Sequence, residues 1–246
     1  MPERAVAGRQ RRTGNRADHF FFSILAVLSA GTIVAGFSQS YYLKVASGGR
    51  SFPLFVHLHA VVFTAWLILF VAQTTLAARG RVDIHRKLGM VGGALAALML
   101  LVGLVTAVLG ARAGYLGVPG QEARDPQTFL IVPLRDILIF STFVALGLYF
   151  RREAQLHKRL MLLAVLGGLL PPGVSRLPGM NTFPPAIGLV LLLFLLASPV
   201  YDFVRYRRVY GAYLLGALVS LLTLAPIAQR LAMSSAWIRI ANWVIR

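Results

Sequence analysis

His85 and His157 have the most chemistry within reach. Each opens an apolar stretch, and the two settings read alike, HRKLGMVGGALAALM beside HKRLMLLAVLGGLL. On helices that run the same way, this weak internal repeat sets two imidazoles at one depth, with Arg86, Lys87, Lys158 and Arg159 next to them. Two neutral imidazoles so placed can ligate a haem iron from both faces, while the flanking bases pair with its propionates. A smaller metal ion on His85 and His157 needs further ligands. Gln73 and Asp202 sit at inner helix ends and can join this layer.

A second set lies toward the other end of the spans. His59, Trp66 and Gln73 recur every seven residues, which puts them on one helix face, and none of the three is suited to face lipid. Asp136 falls about ten residues into a span, roughly 15 Å along its axis. An isolated carboxylate at that depth costs several kcal/mol or takes up a proton, so it requires a partner. Arg135 is adjacent but points about 100° away, which leaves Arg176 and His59 at least as well placed. His59, Trp66, Gln73, Asp136 and Arg176 thus define a candidate outward-facing ligand pocket, with Met180 and Asn181 at its rim. His57, nearly opposite His59, reads as interfacial. Plainer roles are a histidine marking the membrane interface and a buried ion pair that fixes helix register.

The elements that must carry these residues follow from composition. Of 246 residues, 57% are hydrophobic, and the mean hydropathy is +0.71, too little polar surface for a water-soluble globule. The chain reads as an all-α integral membrane protein. Its 25 Lys and Arg against 8 acids give a charge of +17, but these bases sit between apolar runs, the pattern of an anionic membrane face rather than of nucleic-acid binding. With no cysteine, disulfides, iron–sulfur clusters and thiolate sites are excluded.

Residues 1–18 read as a disordered basic cytoplasmic arm, 19–232 as a membrane domain and 233–246 as an interfacial amphipathic helix. Seven spans are expected near 20–42, 53–78, 88–109, 128–150, 160–177, 184–204 and 213–232, each close to the roughly 20 residues that cross about 30 Å of hydrocarbon. The fifth is interrupted by Gly167, Gly168, Pro171 and Pro172 and should bend. The loops dense in Arg and Lys belong inside, giving a cytoplasmic N-terminus and an external C-terminus. No Lys in the last span can form a retinal Schiff base, and nucleotide-binding, zincin and Ser-elbow motifs are absent.

The stretch HLHAVVFTAWLILFVAQTTLAARGRVDIHRKLG resembles a family of small, largely uncharacterised bacterial inner-membrane proteins that share a His-containing span, a Gln near its end and an HRxLG turn. The likeness implies a multi-pass protein of the bacterial inner membrane. Over the short turn His85-Arg86-Lys87-Leu88-Gly89, the chain is also similar to ferric-reductase-type membrane cytochromes. In those proteins a His at this turn ligates haem b with a His on the fifth span, which implies His85 and His157 here. They carry a second His further along both spans. The third span here has none after His85, so one inner haem at most is expected. No flavin or nicotinamide domain is read in the chain, so electrons are expected from a quinol or a separate redox partner. Two other functions stay open: a transporter or small-molecule sensor using the outer pocket, hinged at Pro171 and Pro172, and a non-catalytic accessory subunit.

Overall fold

Long apolar runs leave no water for backbone N–H and C=O groups, so the segment must satisfy them itself as a helix. The computed structural model describes residues 2–49, 51–113, 125–180, 182–222 and 225–246, with side chains from Arg16 onward apart from 220–226. These residues are 85% helical with no strand. Helix α1 (Pro2–Phe37) continues through a π-helical turn (Ser38–Tyr42) into Leu43–Ala46. It is followed by α2 (Leu54–Ala78), α3 (Val82–Arg112) and, after a single turn at Pro126–Phe129, α4 (Ile131–Tyr149). Helix α5 (Ala154–Ala164) runs through a second π turn (Val165–Leu169) into Leu170–Val174. The remainder comprises α6 (Pro185–Tyr206), α7 (Gly211–Leu222), α8 (Ala225–Ala232) and α9 (Ser235–Ile245).

Among the described residues, five helices are long and apolar enough to cross a membrane: Arg16–Ala46, Leu54–Ala78, Val82–Arg112, Pro126–Tyr149 and Pro185–Tyr206. The expected fifth span corresponds to α5, whose hydropathy is lowered by His157, Lys158 and Arg159 near its start and by the Gly and Pro residues near its end. The expected seventh corresponds to α7 and α8, on either side of residues 223–224, which lie outside the description. The arm expected to be disordered is helical from Pro2. Its Ala, Arg and Gln residues are strong helix formers, and extending an existing helix requires no new nucleus.

Helix α5 is the axis of the bundle. Arg159, Leu160, Ala164, Val165, Leu166, Leu170 and Val174 are all at most 1% exposed. The outward faces of the surrounding helices instead carry Val61, Ile68, Leu138, Leu193 and Val204, each more than 60% exposed, an arrangement suited to hydrocarbon rather than water. Close packing on α5 depends on missing side chains, as expected where hydrophobic drive between helices is weak. A Cβ on Gly168 would lie 2.9 Å from the Asp136 carbonyl oxygen of α4. The Pro171-Pro172 interruption does not break the helix, because the π turn before it absorbs the irregularity.

The α2–α3 hairpin closes at Gly80, whose φ of 71° favours glycine. The Arg81 N–H donates to the Leu76 carbonyl and the Gly80 N–H to that of Ala77, the paired bonds that end a helix in a tight reversal. This turn, the α4–α5 turn with Arg151 and Arg152, and the α6–α7 turn with Arg205, Arg207 and Arg208 form the basic end of the bundle. At the opposite end, α9 is capped by Ser234, whose Oγ accepts from the Trp237 N–H, and docks by Trp237 Nε1–H to the Gln127 carbonyl at 2.9 Å. Its buried face centres on Ala241, while Ile240 and Trp243 are exposed.

Candidate functional site

At the basic end, the first turns of α3 and α5 bring His85 and His157 together, with ring centroids 6.2 Å apart and planes at 87°. Each ring is oriented by a carbonyl. His157 Nδ1 lies 2.7 Å from the Gly147 carbonyl at the end of α4, and His85 Nδ1 lies 3.3 Å from that of Gln73 near the end of α2. Gln73 is tied in from the other side as well, since its Nε2 donates to the His85 carbonyl at 3.2 Å. Gln73 thus belongs to the histidine layer, and its place in the outer pocket is corrected. Fourteen residues separate it from His59, about 21 Å of helix, too far to share one pocket.

The bases flanking the two histidines divide into committed and exposed groups. Arg159 donates from Nε and Nη2 to Asp202 at 2.7 and 2.5 Å, from Nη1 to the Gln155 carbonyl and Oε1, and lies 3.6 Å from the Tyr210 ring centre. Tyr213 donates to the same carboxylate at 2.6 Å. Lys158 pairs with Asp18 of α1 at 2.6 Å, and Asp18 also accepts from the Tyr201 and Tyr206 hydroxyls. Arg159, expected beside a propionate, is held in a dry ion pair, and Lys158 is similarly engaged. Arg86 and Lys87 are exposed. Asp18, Tyr201, Tyr206 and Tyr213 escaped sequence reading. The available signal was that buried bases at a helix start need acids, and Asp18 and Asp202 are buried acids at that end of the bundle.

Among the described residues, no group of three or more His, Asp or Glu side chains gathers to hold a metal ion, so the two imidazoles stand as a pair.

At the opposite end, His59, Asp136 and Arg176 border one cavity of about 750 Å³ lined by residues of α1 to α6. Arg135 donates to Asp136 Oδ1 from both Nε and Nη2, at 3.0 and 2.7 Å, so the sequence neighbour is the partner after all. A long guanidinium can fold back across the 100° between adjacent helix positions. Trp66 is buried edge-on against Phe140, 5.2 Å between centroids, rather than lining the cavity. His59 stacks on Phe63 at 3.9 Å. The buried His59 Nδ1, Trp66 Nε1 and Thr106 Oγ1 have no hydrogen-bond partner among the described residues. Met180 packs against the core, and Asn181 lies outside the described residues.

Asp136→Asn should lower stability by about 1.5–3 kcal/mol, because it leaves Arg135 without a charge partner in an apolar wall. Thermal unfolding of the purified variant in detergent measures this, and an unchanged midpoint would contradict the pairing. No family model matches the chain, and no curated protein or solved structure matches it either.

Proposed function

We propose that the protein is a seven-span membrane protein holding one b-type haem between His85 and His157 for electron transfer. The observation that carries this reading is the imidazole pair, 6.2 Å between centroids with each Nδ1 at a backbone carbonyl. An Nδ1–H given to a carbonyl fixes the tautomer and leaves Nε2 with its lone pair for a metal. Two metal–nitrogen bonds of about 2.0 Å, with an imidazole at either end, put ring centres roughly 6 Å apart. A haem held there supplies one-electron chemistry. The chain's own residues do the positioning: Gln73 and Gly147 aim the rings, and the α2–α3 turn holds His85 against its partner. With Arg159 and Lys158 engaged elsewhere, Arg86 and Lys87 are the bases left for propionates.

The crossing count and orientation belong to the same reading. The loops bearing Arg79, Arg81, Arg86 and Lys87, then Arg151, Arg152 and Lys158, then Arg205, Arg207 and Arg208 face the cytoplasm. The N-terminus is then inside, α7 with α8 supplies the seventh crossing, and α9 lies along the outer surface. The resemblance of the α2–α3 hairpin to small bacterial inner-membrane proteins favours that membrane. A quinol or a separate redox partner delivers the electrons.

In protein purified from haem-replete cells, His85→Ala and His157→Ala should each abolish the Soret absorbance, whereas His57→Ala and His59→Ala should keep it. A Soret band that survives both of the first two substitutions would rule out the ligand assignment.

A further inference from the structure

The cavity at the end away from the histidine pair has a composition of its own. Its wall is mostly carbon, and its volume of about 750 Å³ falls within the range, roughly 300–1,000 Å³, of small-molecule sites. The charged side chains along it are engaged by the protein itself. Arg135 holds Asp136 through two hydrogen bonds, while Arg176 donates to the Pro172 carbonyl, lies 4.5 Å from the Phe37 ring centre and also acts electrostatically on Asp136. His59 and Thr106 differ. Their Nδ1 and Oγ1 are buried and have no hydrogen-bond partner among the described residues, and both side chains border the cavity. They come from different helices but stand at one level: Phe63, one turn inward of His59 on α2, lies 3.5 Å from a Cβ placed on Gly103, one turn inward of Thr106 on the antiparallel α3. Flat rings share this space, with His59 stacked on Phe63 at 3.9 Å and Phe140 in the wall. On α6, Gly188 lines the cavity yet is exposed, and nothing stands within 4 Å of an added Cβ, so the wall is open on that side.

These features select a ligand class. Burying a further charge in an apolar wall costs far more than burying a neutral polar group, which favours a neutral ligand. Two unpartnered polar atoms forgo hydrogen bonds unless that ligand supplies them. A hydroxyl and a neutral imidazole each carry both a donor and an acceptor, so the pair serves a carbonyl that accepts and a hydroxyl that donates equally well. An aliphatic alcohol presents only the hydroxyl and has no flat face to set against the rings. A quinone ring interconverts C=O with C–OH, is neutral in both forms and offers a face that stacks. We propose that this cavity binds the ring of a lipid quinone in its oxidised and reduced forms, one ring oxygen at His59 and Thr106 and the tail leaving past Gly188 into hydrocarbon. Binding here needs no haem; alongside the haem reading, it seats the quinol which that reading calls for.

Tritiated decylubiquinone should bind the purified protein saturably in a neutral detergent, one molecule per chain. Thr106→Val and His59→Phe should each weaken binding roughly fivefold, the effect of losing one neutral hydrogen bond, and Thr106→Ser should retain it. Thr106 Oγ1 has no partner among the described residues to lose, so Thr106→Val should leave the thermal midpoint unchanged or raised, which separates lost binding from lost fold. His85→Ala should bind as the unaltered protein does. In that background decylubiquinol should displace the label about as well as the quinone, whereas oleyl alcohol and oleate, which have a tail and no ring, should not. Binding by protein without a Soret band would support this site and count against the haem reading alone. Absence of saturable binding, displacement by oleyl alcohol or oleate as good as by decylubiquinone, or unaltered affinity in both Thr106→Val and His59→Phe would each overturn the proposal.

Discussion

Asp202→Ala should destabilise the protein by about 3–5 kcal/mol, the range for removing one partner of a buried ion pair. Arg159 and Asp202 are both wholly inaccessible, and the carboxylate takes two hydrogen bonds from the guanidinium and one from Tyr213. Its loss leaves a permanent cation on the central helix, beside the Gln155 oxygens and the Tyr210 and Phe22 rings, none of which carries a charge. Most of the penalty comes from the stranded charge rather than from the pair's own net stabilisation. The double variant Arg159→Met/Asp202→Leu, which removes both charges, should therefore recover a large part of the loss. Unfolding in a denaturing detergent titration measures both, and a loss below about 1 kcal/mol for Asp202→Ala would contradict a dry ion pair, since exposed pairs fall in that range.

The second large effect is geometric. A Cβ on Gly36 of α1 would stand 1.9 Å from the Gly173 carbonyl oxygen and 2.7 Å from its carbon, both backbone atoms of the central helix. Neither can swing aside, so Gly36→Ala must push α1 and α5 apart. Overpacking of this kind typically costs about 1–3 kcal/mol, and a clash with backbone belongs at or above the top of that range. Gly31, five residues earlier on α1, is the control, because nothing lies within 4 Å of its added Cβ. Gly31→Ala should be neutral or stabilising by about 0.5–1 kcal/mol. Similar stabilities for the two variants would mean that α1 and α5 do not approach at Gly36.

Depth along the bundle was legible in the chain, whereas the partners reached by long side chains were not. Hydropathy located the helices, and the like settings of His85 and His157 placed both rings at one level, where they meet. Side-chain reach decided the other partnerships. Asp18 and Lys158 are 140 residues apart, and Arg159 and Asp202 are 43 apart; a pattern of polar and apolar residues contains nothing that aims one at the other. Asp136 shows the converse, since a fixed 100° offset describes Cβ directions and not the end of a flexible arginine. The seven-residue spacing of His59, Trp66 and Gln73 correctly put them on one face, yet a face 21 Å long serves a cavity at one end and a histidine layer at the other. Hydropathy ranks α5 below the other long helices although it is the most buried, because its polar start and its Gly and Pro residues serve contacts within the bundle.

The central claim is that the imidazoles of α3 and α5 hold one haem between them, and haem content per chain tests it most directly. Purified from haem-replete cells and extracted into alkaline pyridine, the protein should yield one b-type haem per polypeptide, with a low-spin spectrum before extraction as two imidazole ligands require. A colourless protein, or haem that remains after both histidines are replaced, would contradict the account.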